Sequence, residues 1–381
     1  MTRRIGVLTG GGDCPGLNPA IKWLVNAAYA HGDYEVVGLR DGWRSLVLED
    51  LTERGISPGS SWYEEDRYAR ILTPPAVRRW DTMGGTSLGS SRTNPFARGA
   101  DLSDVVARNF ERLGLHGLVA IGGEDTLGVA RKLHAKGLPV VGIPKTIDRD
   151  LPGTEYSLGF ETAVSIVTDE LDRIRTTAGS HSRFFVIETM GRHAGHLALQ
   201  GGLSGGAFVI LIPEVPFNVS RIIHLLQQRR NTGIRYSIVV VSEGAYPEGF
   251  KGPITSGQMR DTGFEHAALG GVGDYLVDQI SAATDWDMRS VTLSHVQRGG
   301  QPSAFDRRMG RLFGIAAMDL VLQRGFGRMA AWRDGRVTSS SLEVLDEGLQ
   351  LVDVDVEYDR KRYNGKRGLL VRDAAGNGGA A

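Results

Sequence analysis

Short runs of apolar, often β-branched residues recur along the chain, separated by longer stretches in which apolar positions return every three or four residues. The short runs predict strands buried on both faces and the longer stretches predict helices that cover them; their alternation predicts an α/β fold with parallel sheets. The predicted strands are Ile5–Thr9, Glu35–Leu39, Leu118–Ile121, Val140–Ile143, Phe184–Glu188, Phe208–Ile212, Ile238–Ser242 and Ser290–Leu293. Helices fill the gaps. Over Glu161–Arg175 one stripe carries Val164, Ile166, Val167, Leu171 and Ile174, with acids early and arginines late, as the helix dipole favours. A length of 381 residues gives room for two doubly wound units, one in each half. Two stretches break the pattern. Leu51–Arg79 is polar and interrupted by Pro58-Gly59-Ser60-Ser61 and Pro74-Pro75, and is read as a surface excursion. Asn364–Ala381 ends in Gly-Asn-Gly-Gly-Ala-Ala and is read as a disordered tail.

Composition narrows the function. The chain has 52 glycines, nearly twice the usual share of about 7%, without a collagen-like period, so they serve particular turns. Basic and acidic residues balance at 44 each, which argues against nucleic-acid or membrane-surface binding through bulk charge. The basic residues divide into 37 arginines and 7 lysines. Arginine forks suit phosphate and carboxylate ligands, although a general compositional bias accounts for most of them. A lone cysteine, Cys14, excludes a disulfide framework and a thiolate zinc site and fits a reducing compartment. The apolar stretch after Met1-Thr2-Arg3-Arg4 is too short for a signal-peptide core, and no stretch approaches the roughly 18 apolar residues of a membrane span. A cytoplasmic protein is expected.

The glycines cluster where chemistry belongs in a doubly wound sheet, at the carboxyl ends of predicted strands. Gly10-Gly11-Gly12-Asp13 follows the first strand and leads through Cys14-Pro15-Gly16-Leu17-Asn18 into a helix. Such a loop lets backbone N–H groups approach a phosphate, or it is simply a tight strand–helix turn. It matches neither the dinucleotide G-x-G-x-x-G nor the G-x-x-x-x-G-K-[ST] pattern. Gly84-Gly85-Thr86-Ser87-Leu88-Gly89-Ser90-Ser91-Arg92 offers hydroxyls, amides and one arginine. Gly122-Gly123-Glu124-Asp125 sets two acids at a strand end, with hard oxygens suited to Mg2+ beside phosphates. Pro144-Lys145-Thr146-Ile147-Asp148-Arg149-Asp150 can supply a base and metal or water ligands. Each loop alone is a weak signal; four at strand ends are a strong one.

These segments, in this order, resemble the phosphofructokinase family over roughly Arg4 to Val321. The matching motifs are Gly-Gly-Asp-x-Pro-Gly-x-Asn (11–18), Gly-Gly-Thr-x-Leu-Gly-Ser-x-Arg (84–92), Gly-Gly-Glu-Asp (122–125) and Thr-Ile-Asp-x-Asp (146–150). Ser-His-x-Arg (180–183), Met-Gly-Arg (190–192), Ser-Glu-Gly (242–244) and His-x-Gln-Arg-Gly-Gly (295–300) follow. The resemblance implies two Rossmann-like domains with the active site in the cleft between them. Residues 1–158 and 298–345 would hold the phosphoryl donor and Mg2+, residues 159–297 fructose 6-phosphate, and residues 346–381 would form a C-terminal extension with a disordered end.

It also implies roles. Asp148 would accept the proton of the sugar's 1-hydroxyl, with Thr146, Ile147 and Asp150 beside it. Glu124, joined by Asp150, would bind Mg2+; Gly11, Gly12 and Arg92 would hold the donor. Met190, Gly191, Arg192 and Glu243 would bind the sugar, and His295 and Arg298 its 6-phosphate. Arg183 and Arg289 would come from a neighbouring subunit, which implies a homodimer or homotetramer. His193 and His196 lack a third ligand for a metal site and are read as structural.

Donor identity turns on Asp125 and Lys145, where ATP-using relatives resemble each other in carrying glycine. A carboxylate at 125 would repel an ATP α-phosphate, and Lys145 would neutralise the transferring or departing phosphate. The expected activity is reversible transfer from pyrophosphate, giving fructose 1,6-bisphosphate. The alternatives are an ATP-dependent enzyme, a non-catalytic sugar-phosphate-binding paralogue and a more distant Gly-Gly-Asp kinase; sedoheptulose 7-phosphate is a conceivable additional substrate. The family's usual Asn between the two acids of the base loop is Arg149 here, which would either contact phosphate or disturb the turn. Effector-binding arginines on the first helix of allosteric relatives correspond to Lys22 and Asn26.

Overall fold

The computed structural model describes residues 2–48, 68–261 and 265–368. In chain order the first half comprises β1 (Arg3–Thr9), α1 (Leu17–Ala30), β2 (Tyr34–Leu39), α2 (Arg44–Val47), β3 (Ala69–Leu72), α3 (Ser103–Arg112), β4 (Leu115–Gly122), α4 (Glu124–Ala135) and β5 (Val140–Pro144). There follow α5 (Phe160–His181), β6 (Phe184–Thr189), α6 (His196–Ser204), β7 (Val209–Leu211), α7 (Val219–Asn231) and β8 (Ser237–Ser242). Then come β9 (Thr255–Asp261), β10 (Glu265–Leu269), α8 (Val272–Ala283), β11 (Met288–Thr292), α9 (Ala304–Leu322), β12 (Arg328–Arg333) and β13 (Arg336–Ser341). The last elements are α10 (Val354–Glu357), β14 (Tyr358–Asp359) and β15 (Asn364–Gly365).

Two largely parallel sheets result. The seven-stranded sheet has the order β13-β12-β5-β4-β1-β2-β3, parallel from β12 to β2 and antiparallel at both edges. The four-stranded sheet, β11-β6-β8-β7, is parallel throughout. Strand alternation explains why the first sheet is apolar on both faces. Ile5, Val7, Val119, Ile121, Val141 and Ile143 pack with Leu17, Ile21 and Leu24 of α1 and Met309 and Phe313 of α9. Their neighbours Leu8, Leu118, Ala120 and Val140 point the other way, onto Val106 and Phe110 of α3 and Leu127 and Leu133 of α4. The switch point lies between β1 and β4, whose carboxyl ends carry Gly10–Asp13 and Gly122–Asp125.

The chain crosses to the second sheet through α5, whose predicted stripe buries Val164, Val167 and Leu171, with Ile174 packed against the core. It crosses back through α9, and both crossings meet at Asp306 in the first turn of α9. There Oδ1 accepts from the Tyr156 hydroxyl (2.8 Å) and the Gly159 amide (2.7 Å), and Oδ2 from the Thr162 amide (2.8 Å) and hydroxyl (2.5 Å). The carboxylate thus serves the amino ends of two helices, where negative charge is favoured. Burial nonetheless pushes its pKa up, against the pull of those donors.

Three expectations are corrected. Leu51–Arg79 is not wholly a surface excursion: residues 51–67 lie outside the described residues, but Ala69–Leu72 is β3, an edge strand that buries Leu72 against β2. Asn364–Ala381 is not wholly a disordered tail: residues 369–381 lie outside the described residues, but Asn364 is buried and donates to the carbonyls of Ala207 (3.1 Å) and Phe208 (2.9 Å). The hairpin β12–β13 was missing from the predicted strands; its alanines, serines and arginines carry little β-branched signal. Among the described residues, no helix is long and apolar enough to cross a membrane.

Asp306→Ala would strand several buried donors. At about 1–3 kcal/mol for each stranded donor, it is expected to lower stability by about 3 kcal/mol or more, read as a lower urea midpoint. A midpoint equal to the parent's would show that Asp306 does not join the two crossings.

Candidate active site

The loops at the carboxyl ends of the strands converge because side chains and backbone hold them to one another. Gly11 donates its N–H to the Ser91 carbonyl (3.1 Å), and the Ser90 hydroxyl donates to the Gly11 carbonyl (2.5 Å). Asn18, buried at the start of α1, donates to the carbonyls of Met83 (3.2 Å) and Gly84 (3.0 Å) and accepts from the Ser87 amide (2.7 Å). Gly84 abuts the Gly300 carbonyl so closely that any Cβ would overlap it, and a Cβ on Gly12 would overlap the Arg298 guanidinium. At Gly84 glycine is therefore demanded by the backbone of Gly300, whereas a Cβ at Gly12 would displace the Arg298 guanidinium.

Between these loops lies a cavity of about 190 Å3. That is below the roughly 300–1,000 Å3 common for drug-sized ligands, so it suits a small, highly charged group. The first sheet contributes Gly11, Gly12, Arg92, Glu124, Asp125, Lys145, Thr146, Ile147, Asp148 and Asp150 to the lining. Arg192 from the loop after β6 and Arg298 before α9 close the other side. An adjoining cavity shares Gly11, Gly12, Arg92 and Arg298 and adds His295. Met190 lies against Arg298, whose Nε donates to Sδ (3.3 Å), and its amide donates to Gln297 Oε1 (3.2 Å). Gly191 accepts from the Gly244 amide (3.1 Å), and the Glu243 amide donates to Thr189 (2.8 Å), joining the ends of β6 and β8.

Arg183 and Arg289 are not brought there. They stand at the amino ends of β6 and β11, away from the cavity, and both pair with Asp287 at 2.6 Å. Arg149 also turns away: at φ 54° its Nε donates to the Glu155 carbonyl (2.9 Å) and its guanidinium lies over Phe160 (5.5 Å). It neither lines the cavity nor breaks the turn. A left-handed residue is what the turn requires there, and this is the backbone region Asn tolerates well. Of the two histidines read as structural, His196 is buried as expected, whereas His193 lines the cavity. Sequence reasoning also gave no role to Asp13 and Thr126, which line it as well; Asp13 sits inside the first glycine motif and Thr126 directly after the third, and that was the available signal.

Charge is crowded and dry here. Burial pushes the Asp148 carboxyl up, while Arg298, Lys145 and Arg192 pull it back. Asp150 is pushed up to about 7 by burial and by the Asp148 and Glu124 carboxylates. Glu243 is pushed up to about 7 by burial and by Asp148, against Arg192. Lys145, whose Nζ donates to the Gly12 carbonyl (2.5 Å), is pushed down by burial. Such opposed shifts of neighbouring acids and bases mark sites of proton transfer and charge stabilisation. Glu124 and Asp150 could hold Mg2+: their oxygens are hard, and besides burial the Asp148 and Glu124 carboxylates raise the pKa of Asp150, a crowding that a cation would relieve. Among the described residues no group of three or more His, Cys, Asp or Glu is placed to hold a metal; Mg2+ commonly takes one or two carboxylates with phosphate oxygens and water.

Residues 4–321 match the family described as phosphofructokinase. A pyrophosphate–fructose 6-phosphate 1-phosphotransferase of Amycolatopsis methanolica is 47% identical over 331 residues, covering 87% of this chain and 90% of that one. An ATP-dependent 6-phosphofructokinase of Corynebacterium efficiens is 39% identical over 340 residues, covering 89% and 92%. The crystal structure of a pyrophosphate-dependent phosphofructokinase from Nitrosospira multiformis superposes with a TM-score of 0.78 at 20% identity, over 96% of this chain and 89% of that one, and shows the shared fold.

The raised pKa of Glu243 has a definite sign in stability. The folded protein holds a proton that the unfolded chain releases near pH 4.5, so stability falls as pH rises from about 4.5 toward about 7. Glu243→Gln is expected to melt at a higher temperature than the parent at about pH 8, the difference shrinking toward pH 4.5. Parallel melting curves across that range would contradict a charge-crowded Glu243.

Proposed function

The chain belongs to the phosphofructokinase family, and on that premise we propose that it is a pyrophosphate:fructose 6-phosphate 1-phosphotransferase, Mg2+-dependent and reversible. The observation that carries the donor assignment is that Asp125 and Lys145 line one cavity with Gly11, Gly12, Glu124 and Asp148. Asp125 is the second residue of α4, where an acid also favours the helix dipole. Its carboxylate would crowd and repel the α-phosphate of a nucleotide, while pyrophosphate ends before that point. Lys145, buried against the Gly-Gly backbone, supplies a cation in a place too dry for water to screen it.

The proposed chemistry follows from the arrangement. The 1-hydroxyl of fructose 6-phosphate gives its proton to Asp148; its oxygen forms a bond to phosphorus as the bridging P–O bond of pyrophosphate breaks and inorganic phosphate leaves. Burial raises the proton affinity of Asp148 above that of an exposed aspartate, which suits a base, and the three nearby cations oppose that rise. Arg92 and Lys145 neutralise charge on the phosphoryl group, and the Gly11–Gly12 backbone holds the donor. Glu124 with Asp150 would hold Mg2+, which when bound would supply positive charge against the phosphate oxygens. Met190, Gly191, Arg192 and Glu243 would hold the sugar, with His295 and Arg298 on its 6-phosphate. Pyrophosphate and the sugar ester are of similar transfer potential, which makes both directions accessible.

On this reading residues 1–158 and 298–345 would serve the donor and residues 159–297 the sugar, with Arg298 reaching across to the 6-phosphate; the division into two sheets supports it. Arg183 and Arg289, remote from their own chain's cavity and gathered on Asp287, support a homo-oligomer in which each subunit lends them to its neighbour. Lys22, paired with Asp81 and bonded to the Arg78 carbonyl (2.9 Å), is engaged within its own chain, which supports loss of effector control at that helix.

Fructose 6-phosphate turnover is expected with pyrophosphate and to be weak or absent with ATP, and Asp148→Asn is expected to lower kcat by about 10²–10⁴-fold. Asp125→Gly with Lys145→Gly should depress pyrophosphate use relative to ATP. Turnover with ATP alone would overturn the donor assignment; inactivity of the folded protein with both donors would favour a regulatory sugar-phosphate binder.

A further inference from the structure

The family match ends at residue 321, yet the chain after β13 returns to the cleft. The Gln350 backbone makes two bonds there, one to each wall. Its N–H donates to the Asp150 carbonyl (2.8 Å), on the loop that follows β5 and carries Asp148. Its carbonyl accepts from His196 Nε2 (3.1 Å), at the start of α6 and four residues after Arg192. Two residues further on, the Val352 amide donates to Glu214 Oε1 (2.9 Å), and the same oxygen accepts from the Gly195 amide (2.9 Å). The segment is then anchored by the Tyr358 hydroxyl on the Ile210 carbonyl (2.5 Å) and by Asn364 on the carbonyls before β7.

We propose that residues 350–352 form a clasp that holds the base loop of the first sheet at a set distance from the sugar loop of the second, with His196 and Glu214 as positioning residues. A carbonyl can only accept, so the His196 proton resides on Nε2. Burial keeps the ring neutral, its pKa pushed down to about 4. Its Nδ1 is buried with no hydrogen-bond partner, an arrangement that costs about 1–3 kcal/mol. A neutral, buried histidine whose Nε2 meets the Gln350 carbonyl is placed for the bond to Gln350. Glu214 plays the same part through two amides, one on each side of the contact. No clasp residue lines the cavity, so none is catalytic; the clasp acts through the placement of Asp148 and Arg192. In-line transfer is steep in geometry, a displacement of about 1 Å costing up to about 100-fold in rate.

The inference rests on the phosphotransferase reading, so its test has a readout that needs no substrate. Gln350→Pro removes the N–H bonded to Asp150; His196→Ala removes the donor to Gln350 and leaves the backbone alone, so it carries the test if the proline variant does not fold. In both, hydrogen–deuterium exchange is expected to quicken in peptides spanning residues 146–152 and 190–198 while the β1 and β4 peptides stay protected. With pyrophosphate and fructose 6-phosphate, kcat should fall at least about 10-fold, with each KM changing by less than about 3-fold, as expected when alignment rather than binding is lost. His196→Gln, which can present an amide donor at similar reach, should recover most of the lost kcat. Unchanged exchange in both loops, a kcat loss no larger than the loss of folded protein, or no recovery in the glutamine variant overturns the clasp. An inactive parent that shows the exchange result would refute the phosphotransferase reading and leave the clasp standing.

Discussion

Everything at the cleft depends on one buried carboxylate. The chain passes between its two sheets twice, through α5 and α9, and both helices begin at Asp306. One side chain satisfies amides of α5, a hydroxyl on each side of the α5 N-terminus, and the dipole of α9 itself. Neither helix can tilt without stranding a donor in a dry interior, and that is costly. Asp148 and Arg298 lie 12 and 6 residues before the first residues of these two helices, so the carboxylate that joins the helices also sets the frame for the reacting groups.

Within that frame the cavity works by opposition. Lys145 is discouraged from its charge by burial, Asp148 likewise, and each offsets part of the other's penalty. The glycines make the opposition possible. At Gly11 the backbone takes φ 77°, and at Gly12 the Arg298 guanidinium occupies the space of a side chain. Cation, carboxylate and main chain thus approach within one small volume, which side chains on the loop would have filled.

Much of this was legible in the residues. Strands buried on both faces announce themselves as unbroken apolar runs, and β1, β4, β5, β6 and β8 were found that way. The site was legible because its chemistry needs rare combinations, such as paired acids behind paired glycines at a strand end. What escaped had a weaker local signature. β13 is a largely exposed edge strand, and β3 is an edge strand of only four residues set in a polar, proline-rich stretch, so neither gives a run long enough to read. Gln350 and Asn364 act through a backbone bond and a side-chain amide to distant carbonyls; no periodicity records a contact across 200 or 157 residues of sequence. Arg149 was ambiguous because its sequence position names the loop but not the direction of its side chain, which the left-handed backbone decides.

The late return of the chain to the first sheet bears on how the molecule is made. β5, the strand whose loop carries the base, has one parallel neighbour in β4 and the other in β12, about 190 residues later in synthesis. Until β12 leaves the ribosome, β5 is an unprotected edge, and the carboxylate of Asp306 has only just emerged to meet the start of α5. The nascent chain therefore carries every glycine loop of the first sheet long before it can close them into a working cleft. Premature termination anywhere before β12 would release a sheet with an open, apolar edge, a substrate for chaperones and proteases rather than a slow enzyme.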